Sequence, residues 1–131
     1  MSCRVLSALT LVLAASPLFA QTNDCINAVS QQEMNLCAEA DWQVADAELN
    51  RAYKAVVAEM RAMDASLPVE LQGAEAALRT AQRAWITYRD GNCEVSGFPM
   101  RGGSAEPLLV YGCLRQMTEN RTAELWDLLN Y

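Results

Sequence analysis

The chain has 131 residues, a formal net charge of −6, no histidine and five cysteines. That length favours one domain. Without histidine there is no Ser-His-Asp or Cys-His machinery and no imidazole metal site. The acidic balance excludes the basic footprint a nucleic-acid binder needs. At 52% hydrophobic and 20% charged, the composition is not that of a disordered acidic tail.

Residues 1–20 are expected to be a secretory signal peptide. Arg4 precedes an apolar run from Val5 to Ala15, Ser16-Pro17 breaks it, and Ala20 offers a small residue for cleavage. The run is shorter than the roughly 20 residues of a membrane span. Cys25 follows Thr22-Asn23-Asp24, which is no lipidation signal, so no membrane anchor is expected after cleavage. The mature domain, residues 21–131, keeps 9 basic and 16 acidic groups, a net charge of −7. Cys3 leaves with the leader, and Cys25, Cys37, Cys93 and Cys113 remain. An even count in an exported chain points to two disulfides. No Cys-x-x-Cys pair is present, so zinc is not expected, nor any other metal or cofactor.

The rest reads as helix; alanine supplies 17 of the 111 mature residues. Ser30-Gln31-Gln32-Glu33 is a capping box. After it, Ala38, Trp42, Ala45, Leu49, Ala52, Val56, Met60 and Met63 recur at spacings of three and four, one apolar stripe on a helix of about 33 residues. Ser66 and Pro68 mark a turn. A second helix carries Leu71, Ala74, Leu78, Ala81, Trp85 and Tyr88 and is expected to stop near Asp90, at Gly91-Asn92. Residues 94–106, with Gly97, Pro99, Gly102 and Gly103, read as a loop. Pro107 suits the first turn of a third helix reaching about Leu129, with Leu114, Met117, Leu125 and Leu128 inward. The expected fold is all-α: a small antiparallel helical hairpin or three-helix bundle braced by two disulfides.

Four cysteines allow three pairings. Cys25 and Cys37 would lie about 18 Å apart on one straight helix, so pairing them requires the segment before Ser30 to fold back. Cys93 and Cys113 flank the Gly/Pro-rich segment. Local geometry favours 25–37 with 93–113.

Three patches are more specific than periodicity: Gln32-Glu33-Met34-Asn35-Leu36-Cys37-Ala38, then Ala45-Asp46-Ala47-Glu48-Leu49-Asn50-Arg51-Ala52-Tyr53, then the run from Ala81 through Trp85, Tyr88, Arg89 and Asp90 to Cys93. With the four cysteines they resemble the LprI-like lysozyme-inhibitor family of bacterial secreted and lipoprotein domains, over roughly residues 24–129. The resemblance implies an exported periplasmic or secreted binding protein, not an enzyme, whose partner is a lysozyme-type muramidase. It assigns no inhibitory residue. The alternative is a periplasmic structural or envelope-stress module acting on another envelope protein.

Two residue sets are candidates for that role. Asp46, Asn50 and Tyr53 share one side of helix one, and Gln82, Tyr88 and Arg89 lie on helix two. These are expected to form an interhelical network, with Asp46 bidentate to Arg89 and Asn50 satisfying Gln82; the alternative is a polar ligand surface. Phe98, Met100 and Arg101 form the candidate partner-binding loop. The alternative there is that Phe98 and Met100 cover the end of the bundle.

Overall fold

The computed structural model describes residues 25–130. The expected leader, residues 1–20, lies outside them. Three helices dominate: α1 is Gln31–Ser66, α2 is Ala74–Gly97 and α3 is Glu106–Asp127. Single 3-10 turns precede α1 at Cys25–Asn27, join α1 to α2 at Val69–Leu71 and follow α2 at Phe98–Met100. No strand occurs among the described residues. The all-α expectation and both disulfides hold.

Cross-links give the topology. Arg61 on α1 meets Glu75 on α2, and Asp46 meets Arg89. Numbers fall on one helix as they rise on the other, so α1 and α2 are antiparallel. Cys93 joins Cys113, Arg89 meets Thr118 and Gln82 meets Arg121, so α3 runs antiparallel to α2. It packs along α1 in the same direction, with Trp42 stacked on Tyr111 and Trp126 donating to Glu48. The result is an up-down-up three-helix bundle.

The helix ends have identifiable causes. Ser30 accepts from the Glu33 N–H while Glu33 accepts from the Ser30 and Val29 N–H groups, the capping box read from the sequence. Gly73 offers α2 no capping side chain, so Asp64 at the end of α1 does the work. Its carboxylate accepts from the backbone N–H groups of Gly73, Ala74 and Glu75 at 2.8, 2.9 and 3.0 Å. The α1–α2 link is thereby clamped.

α2 does not stop at Gly91 but runs to Gly97. Gly91 costs about 1 kcal/mol against alanine inside a helix. The tertiary structure offsets that cost: Cys93, two residues on, is fully buried and bonded to Cys113, and Gly97 seats against α3.

The apolar core lies toward one end of the bundle: Leu49, Ala52, Val56 and Val57 of α1, Leu78 of α2 and Leu125 of α3, surrounded by Tyr53, Met60, Trp85, Trp126 and Leu128. The α1 stripe is confirmed except at its last residue, Met63, which is exposed. The α2 stripe is corrected. Leu78 and Trp85 face inward, but Leu71, Ala81 and Tyr88 are exposed, and Gln82, Arg89 and Cys93 turn in instead. Adjacent residues differ by about 100° around a helix, so turning Gln82 and Arg89 inward carries Ala81 and Tyr88 toward solvent here. Polar partners on α1 and α3 decide which one does. On α3, Thr118 and Thr122 take interior positions alongside Leu114 and Leu125.

Candidate functional site

The first disulfide joins Cys25 to Cys37 with Cα atoms 5.6 Å apart, so the N-terminal segment folds back on α1 as required. The second joins Cys93, in the last turns of α2, to Cys113, two turns into α3, with Cα atoms 5.4 Å apart. Cys93 therefore lies within α2 rather than past its end. Between these cysteines lies the candidate loop, much shorter than expected because α2 and α3 absorb part of it.

What remains is a tightly held turn, residues 98–105. The Arg101 N–H donates to the Phe98 carbonyl at 3.0 Å and the Gly103 N–H to the Met100 carbonyl at 2.8 Å. Glu106, at the start of α3, accepts from the Arg101 guanidinium at 2.8 Å and from the Gly102 N–H at 2.7 Å. Gly102 has φ +75°, a left-handed conformation that favours glycine. Asn35 of α1 reaches across 69 positions of sequence to donate to the Ser104 carbonyl at 2.8 Å, and is itself held by Gln31. Gly97 permits the approach of α2 to α3, since a Cβ there would lie 2.7 Å from Val110 Cγ2.

This turn presents Phe98 at 53% and Met100 at 50% exposure, with Val95 exposed one turn before. Neither Phe98 nor Met100 joins the core cluster. Arg101 lies over the Phe98 ring, 4.7 Å from its centroid, and is ion-paired to Glu106. Its charge is thus engaged within the turn, and the free surface is apolar. Asn35 and Glu106 escaped the sequence reading. Asn35 belongs to the first specific patch, but nothing local shows that it reaches residue 104.

The polar set on α1 and α2 is brought together in part. Arg89 is buried, with its guanidinium 5.2 Å from the Trp85 ring centroid and 5.9 Å from that of Trp42. Its Nη1 donates to Asp46 Oδ1 at 3.2 Å and to Thr118 Oγ1 at 3.3 Å, and its Nε donates to Asp90 at 2.9 Å. The bidentate Asp46–Arg89 pair is therefore corrected to a single bond, because the guanidinium divides its donors among three residues. Asn50 does not meet Gln82. It donates to the Asp46 carbonyl at 2.8 Å and to the Asp46 carboxylate at 3.0 Å, its i−4 neighbour on the same helix face. Gln82 instead accepts from Arg121 Nε of α3 at 3.1 Å. Tyr88, 63% exposed, stands outside the network, because burying Arg89 turns its neighbour outward. Tyr53 packs its ring against the core. Thr118 and Arg121 complete the network from α3; their polarity gave no sign of an inward position.

The shifted acids are all engaged in the scaffold. Hydrogen bonds from Arg61 and Arg79 hold the Glu75 carboxyl down at about 2. Backbone N–H groups lower Asp64, that of Gly73 most, and the Ser30 backbone N–H lowers Glu33. Burial raises the Tyr111 phenol, with Glu39 adding to the effect.

Similarity to known proteins follows the same outline. The family model "Lysozyme inhibitor LprI" matches residues 22–125. An uncharacterized protein of Rhizobium meliloti (strain 1021) is 55% identical over 109 residues, covering 81% of this chain and 78% of that protein. The crystal structure of a DUF1311 family protein from Pseudomonas putida KT2440 superposes with a TM-score of 0.64 at 27% identity, covering 76% of this chain and 93% of that one. With the three sequence patches, both disulfides and the three-helix bundle in place, the chain belongs to the LprI lysozyme-inhibitor family.

Proposed function

We propose that the mature chain is an exported, non-enzymatic binding protein of the periplasm or extracellular space that inhibits a lysozyme-type muramidase, with the turn at residues 98–105 as its contact surface. The observation that carries this reading is the pairing of exposure with bracing: Phe98 and Met100 are half-exposed on a turn tied down by Glu106, Asn35 and the Cys93–Cys113 bond. A surface already held in its binding shape loses little conformational entropy on association, so a small apolar anchor suffices. The description of the family supports the target. Charge supports it as well: lysozymes are typically basic, and a mature chain of net charge −7 is steered toward a cationic partner. Two disulfides suit an oxidising compartment.

The test is a muramidase assay with the purified, oxidised mature protein against chicken-type and goose-type lysozymes. Inhibition near stoichiometric ratio is expected for at least one class. No inhibition of either at micromolar excess would overturn the proposal and favour a module acting on another envelope component.

A further inference from the structure

The groove between α1 and α2 has a chemistry that the muramidase reading does not use. Its volume is about 360 Å³, and its walls are Asn50 and Tyr53 of α1 and Arg79, Gln82 and Arg83 of α2, over Leu49. That volume is at the small end for ligand pockets. Its walls carry unspent polar groups. Gln82 is only 5% exposed, and its single side-chain bond uses Oε1. Its amide N–H2 group has no hydrogen-bond partner among the described residues, and the residue lines the groove. The Arg83 guanidinium and the Tyr53 hydroxyl also have no hydrogen-bond or ion-pair partner among the described residues. Asn50 spends its N–H2 group on Asp46, which leaves its carbonyl oxygen free to accept.

The neighbouring guanidiniums are already engaged: Arg79 shares the Glu75 carboxylate with Arg61, and Arg89 is paired with Asp46 and Asp90. The net offering is one uncompensated guanidinium, two neutral donors, one acceptor and an apolar floor. We propose that this groove binds a small carboxylate that also carries hydroxyl or amide groups, of the size of one sugar acid. The carboxylate would sit on the planar fork of Arg83, which matches its geometry with two parallel hydrogen bonds. Hydroxyl or acetamido groups would meet Gln82, Tyr53 and Asn50. A cation is disfavoured, because the only wall carboxylate, Asp46, is already shared by Arg89 and Asn50. Arg83 and Phe98 lie fifteen residues apart along α2 and its extension, about 22 Å at helical rise, so this site is separate from the turn.

Calorimetric titration of the oxidised mature protein at low salt tests the proposal. The probes are N-acetylmuramic acid, galacturonic acid and the uncharged N-acetylglucosamine. Saturable binding of at least one acid is expected, with the uncharged sugar at least about tenfold weaker. Preference for the muramic acid would point to envelope glycan as the source, and preference for the uronic acid to another polysaccharide. Arg83→Ala, at an exposed position where circular dichroism is expected to show an unchanged fold, is expected to weaken binding about tenfold or more, and Tyr53→Phe by a few-fold. The side-chain amide resonances of Gln82 and Asn50 are expected to shift on titration. Failure of both acids to bind at about 10 mM, equal binding of the uncharged sugar, or unchanged affinity in Arg83→Ala would each overturn the proposal.

Discussion

Arg89 on α2 and Asp46 on α1, 43 residues apart in sequence, meet at 3.2 Å beside two indole rings. The guanidinium also reaches Thr118 on α3, so one side chain ties all three helices. Arg89→Ala would leave Asp46 and the buried Thr118 hydroxyl without this donor and open space between Trp42 and Trp85. A loss of about 3 kcal/mol is expected, at the low end for a broken buried pair because Asp46 is partly exposed. Asp46→Asn keeps the shape and should cost about 1 kcal/mol. Urea unfolding midpoints of the two variants check the order; equal losses would refute the central role given to Arg89.

Phe98→Ala is expected to abolish muramidase inhibition while moving the thermal midpoint very little, because the ring is half-exposed and outside the core. Inhibition assays and thermal melts on the same preparation separate the two effects. A large fall in stability would instead make Phe98 a cover for the bundle end.

Gly97→Ala should disturb the same turn from behind. The added Cβ would lie 2.7 Å from Val110 Cγ2 and 3.2 Å from Glu106 Cγ, so the stiff Val110 side chain or the helix carrying it must shift and Glu106 must give by a few tenths of an ångström. A cost of about 1–3 kcal/mol is expected, together with weaker inhibition. Adding Val110→Ala removes the clashing methyl and should recover part of the loss, measured as a double-mutant cycle.

Acid should loosen the α1–α2 link. Asp64 is lowered by the backbone N–H groups of Gly73, Glu75 and Ala74, and Glu75 is lowered to about 2 by Arg61 and Arg79. Both carboxyls bind protons less readily folded than unfolded. Their stabilisation is therefore fully present above the ordinary values of 3.8 and 4.5 and is lost as pH falls below them, for Glu75 toward about 2. Thermal midpoints should decline across that interval. Asp64→Asn should start lower at neutral pH and lose less on acidification. A variant with the same acid slope as the wild type would assign the pH dependence elsewhere.

Three features were legible in the sequence because each depends on neighbours within a few residues. The Ser30–Glu33 capping box, the α1 stripe from Ala38 to Met60 and the turn at Ser66–Pro68 follow from helical spacing and cap chemistry. The disulfide pairing also follows, since each bond closes a short stretch of chain. The family patches were visible too, but not what they do. Asn35 in the first patch pins a turn 69 residues away, and Arg89 in the third binds both other helices.

Tertiary packing decided which face of α2 turns inward. Hydrophobicity favoured Ala81 and Tyr88, yet Gln82 and Arg89 are buried. A buried polar group is tolerated only where partners meet it, and those partners, Asp46, Thr118 and Arg121, sit on other helices. The same cause carries α2 past Gly91 to Gly97. Local propensity would end the helix there, but the buried Cys93–Cys113 bond and the close seat of Gly97 on Val110 keep it going. The sequence by itself determined the helices, the caps and the cysteine framework. Only the folded bundle determined that the 98–105 turn is tied down by Asn35 and the Cys93–Cys113 bond with its apolar side chains outward, and that the α1–α2 groove keeps unpaired donors, because both depend on contacts between residues far apart in the chain.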